Sequence, residues 1–582
     1  MGPQNLDADM DNHIRQSNFY FLSGLALINT LSITLLLGSF GFFTGSDVSS
    51  WQFPTAFLSS LLINLQISRR SIFLDRKPFL ISCLVILIVV IISVLVAEFF
   101  YDVSFDGQSY HIESVYQLGT KWNPLKTQLP DAINQSQAIY VNHYPKGAEI
   151  PQSAIYRITK RIESGKATNF MVLAAGFFLC LSFFFRINRF SLRKKLWLSA
   201  LFVLNPVTVG ELISYYVDGQ LAVLVLCFII SAYLIYKENL LAAQILLGSI
   251  LIIVVNLKFT GVLFACIFSV GFLFLLIVNK RFNYFRRSLA TIAAASLIGV
   301  LLVGYHPYVI NTRDYGSPFY PVTGQSKKDI ISLVYPESFK NKNRFEKFFI
   351  SLFTHTDELK IYEDPDPKIS LKIPFTLNKI DVVNAPKLGI KMAGLGPFFS
   401  GAIVVSVILL ILVFRRKKWR MDGINILILL STILISIFSV PEAWWARFVP
   451  QLWLLPLLIA FLSEEVLIKR EVWLKRIIYL SLGMNVALSL INIPWNIMES
   501  AEIKYQMAGL KASGDTIRIE MNYFRSNRIR FYENNIPVVE KHLTGSQIDT
   551  IVRSSTIYER PENMPAIPKP AILVLKEKLK VK

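Results

Sequence analysis

The chain is a succession of charge-free apolar runs separated by polar connections, at 19–37, 51–67, 79–96, 170–185, 196–209, 221–235, 240–255, 262–278, 289–304, 398–414, 424–440, 448–462 and 477–493. A straight helical span needs about 20 apolar residues. The pattern therefore predicts an all-α polytopic membrane protein with about thirteen transmembrane helices. Several runs fall short of that length. Their helices must extend into flanking polar residues or break, and Asn205 and Pro206 mark such a break inside the run 196–209.

Charge then orients the chain. Basic residues crowd alternate connections: Arg69, Arg70, Arg76 and Lys77; Arg186, Arg189, Arg193, Lys194 and Lys195; Lys280, Arg281, Arg286 and Arg287. The same holds for Arg415, Arg416, Lys417, Lys418 and Arg420 and for Lys469, Arg470, Lys475 and Arg476, whereas the intervening short turns carry little beyond Lys258 and Arg447. By the positive-inside rule the basic connections face the cytoplasm. The expected placement is a multi-pass inner-membrane protein with a cytoplasmic N-terminus, three large external segments (100–166, 307–396 and 494–582) and a periplasmic or external C-terminal tail. The formal net charge of +20 then belongs to topology, and no nucleic-acid partner is implied. The first run follows Asp7, Asp9 and Asp11 and lacks a small-residue cleavage site, so it reads as a retained span. Cys83, Cys180, Cys227 and Cys266 all fall in apolar runs, which excludes a disulfide framework in the external segments. A helical pattern occupies 108–118, and the tail reads as a small α/β module with strand-like runs at 516–519 and 571–575.

The external segment after the third run opens YDVSFDGQSYHIESVYQLGTKWNP, placing Asp102, Asp106 and His111 just beyond a span. A carboxylate held there can take the proton of an attacking hydroxyl, a contribution of about 10²- to 10⁴-fold in rate. The alternative is a solvated loop whose aspartate caps the helix starting near Gln108.

A long external loop directly after a span, opening with acidic residues and followed by six more spans and a second long external loop, resembles the C-type (GT-C) membrane glycosyltransferases. Oligosaccharyltransferases, protein O-mannosyltransferases and aminoarabinose transferases belong to that superfamily. They use polyprenyl-phosphate-linked sugars and an acidic residue in the first loop. Short strings also resemble a bacterial group of envelope-polysaccharide membrane proteins: DGQSYH at 106–111, KWNP at 121–124, HYPKG at 143–147, YYVDGQ at 215–220, NLKFTG at 256–261, NTRDYGSPFYP at 311–321 and PEAWWARFVPQ at 441–451. The division that follows is 1–77 with two extra helices, a GT-C-like module 78–310, a second outer loop 311–396, C-terminal spans 397–493 and the tail 494–582.

The resemblance implies transfer of a sugar from a polyprenyl-phosphate donor to an envelope glycan, glycolipid or protein on the external face. It assigns catalysis to Asp106, with Asp102 the other candidate. Lys258, Arg447 and Arg313 would hold the donor phosphate, and His111, His143, Lys146, Asp218, Tyr110 and Trp445 would contact substrate. Each has a plainer alternative: headgroup snorkelling for the cations, structural hydrogen bonding for the histidines, helix capping for Asp218 and an interfacial aromatic belt for Trp444 and Trp445. No cofactor is specified, though a divalent cation is compatible, and membrane lipids are the remaining partner. The rival functions are a lipid-linked oligosaccharide flippase or transporter, a polysaccharide polymerase or ligase, and a noncatalytic assembly protein. The inner connections are short and basic and carry no Gly-rich phosphate loop, which argues against a nucleotide-sugar site.

Overall fold

The computed structural model describes residues 3–70, 74–120, 122–130, 137–328, 334–361, 363–415, 421–465, 471–544 and 547–580. Lys121, Arg416, Lys417, Lys418, Arg420, Lys469, Arg470 and the side chains of Asp7, Asp9 and Asp11 lie outside the described residues. Helices in chain order are α1 (Pro3–Phe43), α2 (Gln52–Arg70), α3 (Arg76–Phe99), α4 (Ile112–Leu118), α5 (Ala138–His143), α6 (Glu149–Thr159), α7 (Ala167–Ile187), α8 (Leu192–Val203), α9 (Pro206–Glu211) and α10 (Asp218–Glu238). They continue with α11 (Leu241–Leu257), α12 (Phe259–Val278), α13 (Phe282–Leu297), α14 (Ile310–Tyr315), α15 (Arg344–Leu352), α16 (Lys379–Asn384), α17 (Phe399–Arg415), α18 (Met421–Phe438), α19 (Leu454–Leu462), α20 (Val472–Leu490) and α21 (Asn492–Ser513). The tail adds β1 (Ile517–Glu520), α22 (Asn527–Glu533), β2 (Val538–Glu540), β3 (Ile548–Thr550), β4 (Ile557–Glu559) and α23 (Ala571–Lys580).

Every apolar run lies wholly or largely in helix, and among the described residues seven helices are long and apolar enough to cross a membrane. The shorter apolar helices are Leu241–Leu257, Phe399–Arg415, Gly423–Phe438 and Pro450–Leu462. The run 196–209 breaks where expected: α8 ends at Val203, and Asn205 caps α9 by accepting the Thr208 N–H at 3.0 Å, with Pro206 in its first turn.

α1, expected as one of two extra N-terminal helices, is the most buried of the seven and packs on α7, α2, α12's neighbour α11, α3 and α6. In lipid, apolar burial alone does not select partners, so short polar side chains help to pin the contacts, at about 0.6 kcal/mol each. Ser17 pairs with Ser182 on α7 (2.9 Å), Ser23 with Ser82 on α3 (2.8 Å) and Thr30 with Ser60 on α2 (2.9 Å). Asn64 donates to the Leu22 carbonyl at 2.7 Å, and Ser249 donates to Asn29 at 2.8 Å. The four cysteines are free.

At one end of the bundle the segment between α3 and α7 folds into short helices, and the tail docks on it. The tail sheet has strand order β2-β1-β4-β3, with β1 and β2 parallel and the other pairs antiparallel. Its core of Ile503, Met507, Leu510, Ile517, Ile519, Phe531 and Tyr558 also takes in Val103 from the first loop. The strand expected at 571–575 is instead the start of α23. Pro570 precedes it, its carbonyl accepts the Leu573 N–H at 2.9 Å, and the helix-favouring KEKLK that follows carries the helix on, with Leu573 buried.

The docking is polar and buried. Arg530 donates Nε (2.9 Å) and Nη2 (2.6 Å) to Glu163 Oε1 and Nη2 to the Asp102 carbonyl (2.6 Å), while Arg528 grips both oxygens of Glu113 at 2.6 and 2.5 Å. Removing one partner of a buried ion pair costs about 3–5 kcal/mol. Arg530→Leu should therefore release the tail, read as rapid protease cleavage within 514–580 under conditions where the parent protein resists.

Candidate active site

Four short segments meet at the end of the bundle that carries the first loop, and each brings one charged side chain. Asp106 precedes a π-helical turn, Gly107–His111, and makes no side-chain cap, so the capping alternative does not describe it. Its Oδ2 accepts from Arg447 Nη2 at 2.7 Å. Asp218 opens α10; its Oδ2 accepts from Arg447 Nε at 2.9 Å and its Oδ1 from Lys258 Nζ at 2.6 Å. Lys258 sits in extended backbone between α11 and α12, and Arg447 in a short 3-10 turn, Ala446–Phe448. The result is a chain of alternating charge: Asp106, Arg447, Asp218, Lys258.

Aromatic rings frame the cations. The Arg447 guanidinium lies 4.4 Å from the Tyr216 ring centre and 5.2 Å from that of Trp445, and Lys258 Nζ lies 4.3 Å from that of Phe448. Lys258 and Arg447 are thus paired and seated on rings rather than snorkelling to headgroups. Asp218 is buried, but the side chains of Asp106 (19%), Arg447 (16%) and Lys258 (16%) keep a rim of accessible surface. The Arg447 guanidinium is held well above its ordinary range by Asp218 and Asp106, against the opposing effect of burial. The Tyr110, Tyr144 and Tyr216 phenols are pushed up by burial, and the Asp106 charge adds to this in each, so they remain neutral hydroxyls at physiological pH.

Local sequence explains the convergence. Gly147 of the HYPKG string donates its N–H to the Asn256 carbonyl at 2.7 Å, and a Cβ there would collide with that carbonyl. This contact pins the first loop against the residues leading into Lys258. In the NLKFTG string a Cβ at Gly261 would meet the Val254 carbonyl, so the turn that presents Lys258 needs a glycine.

Asp102 is elsewhere. It is fully buried, with Oδ1 accepting the Ser104 N–H and Oδ2 the Tyr215 N–H, both at 2.7 Å, and burial pushes its carboxyl up. It ties the start of the first loop to the YYVDGQ turn rather than facing the charge chain. Arg313 is exposed and paired with its neighbour Asp314, at 2.6 Å, apart from the cluster. His111, Lys146 and His143 form a second buried group: His111 Nδ1 lies 2.8 Å from Glu149, His143 bonds Asn311 at 3.0 Å, and burial brings Lys146 down to about 8. Tyr110 connects the two groups, with ring centres 4.3 Å from His111 and 6.0 Å from Tyr144. Trp444 and Trp445 are buried under the second loop, Trp445 donating to the Ile390 carbonyl at 2.9 Å, which is not the exposure of an interfacial belt. Among the described residues no group of three or more His, Cys, Asp or Glu is arranged to hold a metal ion.

Glu211 was not visible as a site residue from the sequence; its only signal was a lone carboxylate just past an apolar run. It is buried at the end of α9, and its Oε2 accepts the Gly219 N–H at 2.7 Å in the turn that presents Asp218. Burial, then the Asp218 charge, raise its carboxyl to about 8.

No protein-family model matches the sequence, and no curated protein matches it. Among solved structures the fold is similar to the crystal structure of ArnT from Cupriavidus metallidurans bound to undecaprenyl phosphate, over 81% of this chain and 87% of that one, at 9% identity and a TM-score of 0.42.

The Glu211 shift fixes a stability trend. The folded state keeps a proton that the unfolded chain loses near the ordinary value of 4.5, so the contribution of Glu211 to folding stability should fall as pH rises from about 4.5 to 8 and level off above. In thermal melts between pH 5 and 9, Glu211→Gln should gain on the parent protein as pH rises, because the variant has no proton to lose there.

Proposed function

We propose that the chain is a membrane glycosyltransferase of the C type, which moves a sugar from a polyprenyl-phosphate carrier to an envelope glycan, glycolipid or protein on the periplasmic or external face. The observation that carries this reading is the Arg447 guanidinium shared between Asp106 and Asp218, with Lys258 one carboxylate away. The position of the cluster at helix ends supports a site for the phosphate of a lipid carrier over the midplane site of a transporter.

In the reaction Asp106 takes the acceptor hydroxyl proton as that oxygen bonds to the anomeric carbon. The carbon–oxygen bond to phosphate breaks and the electron pair leaves with the phosphate. Arg447 can meet that phosphate with parallel N–H bonds, and Lys258 adds a point charge. Phosphate competes with the carboxylates for Arg447, so donor binding frees Asp106 to act as base. The neutral phenols of Tyr110, Tyr144 and Tyr216 supply hydroxyls for sugar recognition. Trp445, beneath Arg447, supports the guanidinium rather than stacking on a sugar.

The test uses membranes supplied with a polyprenyl-phosphate-linked sugar. Asp106→Asn should lower transfer by about 10²- to 10⁴-fold while the protein stays folded, and Arg447→Ala should weaken retention of the lipid phosphate. Unchanged turnover in Asp106→Asn removes that residue from the mechanism. Movement of the lipid-linked sugar across vesicles without a new glycosidic bond would establish the transporter instead.

A further inference from the structure

The second loop is built inside out for water. Between Leu371 and Asn384 the groups turned inward are polar: Asp381, Lys372 and Asn384 are buried, along with Thr356. Asp381 alone accepts the Thr356 N–H at 2.7 Å, His355 Nδ1 at 2.9 Å and the Asn378 N–H at 3.1 Å, with Lys372 Nζ 3.4 Å away. Most of the groups turned outward are apolar. Leu371 is 66% exposed and Ile373 75%, and Phe375, Leu377, Ile380 and Val383 are each more than two-fifths exposed. A single exposed leucine means nothing, but six in thirteen positions over a polar interior drawn together by Asp381 is a surface made for an apolar medium.

That surface adjoins the helix faces that meet lipid. Phe375 packs so tightly on Gly401, in the first turn of the apolar α17, that a Cβ there would lie 2.5 Å from its ring. α17 continues away from the contact with Val404, Val407, Ile408 and Ile411 exposed along its side. Beside it, α15 carries exposed Phe345 and Phe349, with the Phe345 ring 5.0 Å from Phe438 at the end of α18. Thr376, Asn378 and Lys379 share the strap's outer face, a composition suited to the headgroup boundary rather than to the hydrocarbon centre.

We infer that residues 371–383, with Phe345 and Phe349, form a strap that inserts into the near leaflet of the bilayer and anchors the second loop to the membrane. The anchor reaches the candidate site through the chain that follows. Met392 bridges to Asp357, Gly394 abuts Ala446, and the Ile390 carbonyl holds Trp445 two residues before Arg447. The lipid surface thereby fixes the depth of the Arg447 turn relative to the headgroups.

A spin label at Ile373→Cys tests this in the full chain, with Cys83→Ala and Cys266→Ala, reconstituted in phosphatidylcholine/phosphatidylglycerol nanodiscs. A label at the exposed tail residue Tyr532→Cys gives the aqueous reference. The ratio of oxygen to nickel-chelate collisions at position 373 should exceed the reference several-fold. A ratio equal to the reference places the strap in water and overturns the inference. Low collisions with both probes mean that protein, a second copy or a partner, covers it, which overturns it equally. None of these results depends on sugar transfer, so the glycosyltransferase reading stands or falls separately.

Discussion

A guanidinium offers a rigid fan of N–H donors, and Arg447 commits Nε to one carboxylate and Nη2 to another. That geometry is the constraint from which the rest of this end of the molecule follows. Asp106 comes from the first loop, Asp218 from the start of α10, and Arg447 from a turn more than two hundred residues later. One planar group can reach both carboxylates only if three separate backbones are held in register. Lysine at position 447 would preserve the charge and lose the shared grip.

The register is set by contacts that have no chemistry of their own. Asp102 spans the first loop and the YYVDGQ turn by accepting a main-chain N–H from each, so the two aspartates that meet Arg447 are themselves tied together through a third. Gly107 permits this, since a Cβ there would strike the Asp102 carboxylate. Gly147 sets the first loop against Asn256, two residues before Lys258. The acidic pair that opens the loop therefore divides its labour: Asp102 builds the frame and Asp106 faces the accessible rim. Arg530 extends the frame into the tail by bonding the Asp102 carbonyl and Glu163 together.

The bundle was legible because bilayer insertion writes a strong periodic signal, and all thirteen runs map onto helix. Asp106, Asp218, Lys258 and Arg447 were legible as charged residues stranded beside apolar runs, where a charge is costly unless it has a partner. The fold sets Asp102 and Arg313 apart from that chain: composition places a charge near the site, but only the fold decides whether its partner is a main-chain N–H, an adjacent aspartate or the shared cluster. Glu211 stayed hidden because a carboxyl that keeps its proton needs no cationic neighbour in the sequence to announce it. AILVL at 571–575 has the composition of a strand, but the lysines and glutamate that follow let one helix continue through it.

The two appendages on the site solve opposite solvation problems. The tail meets the first loop through buried ion pairs, and such pairs hold a geometry because each breaks at a cost that water does not return in full. The second loop gathers buried polar groups around Asp381 and leaves most of its apolar ones outward, so its position follows whatever apolar surface it meets. Asp106 is thus referenced to the tail and Arg447 to the second loop. The ion pair between them is the joint at which a frame built on hydrogen bonds meets one built on apolar contact.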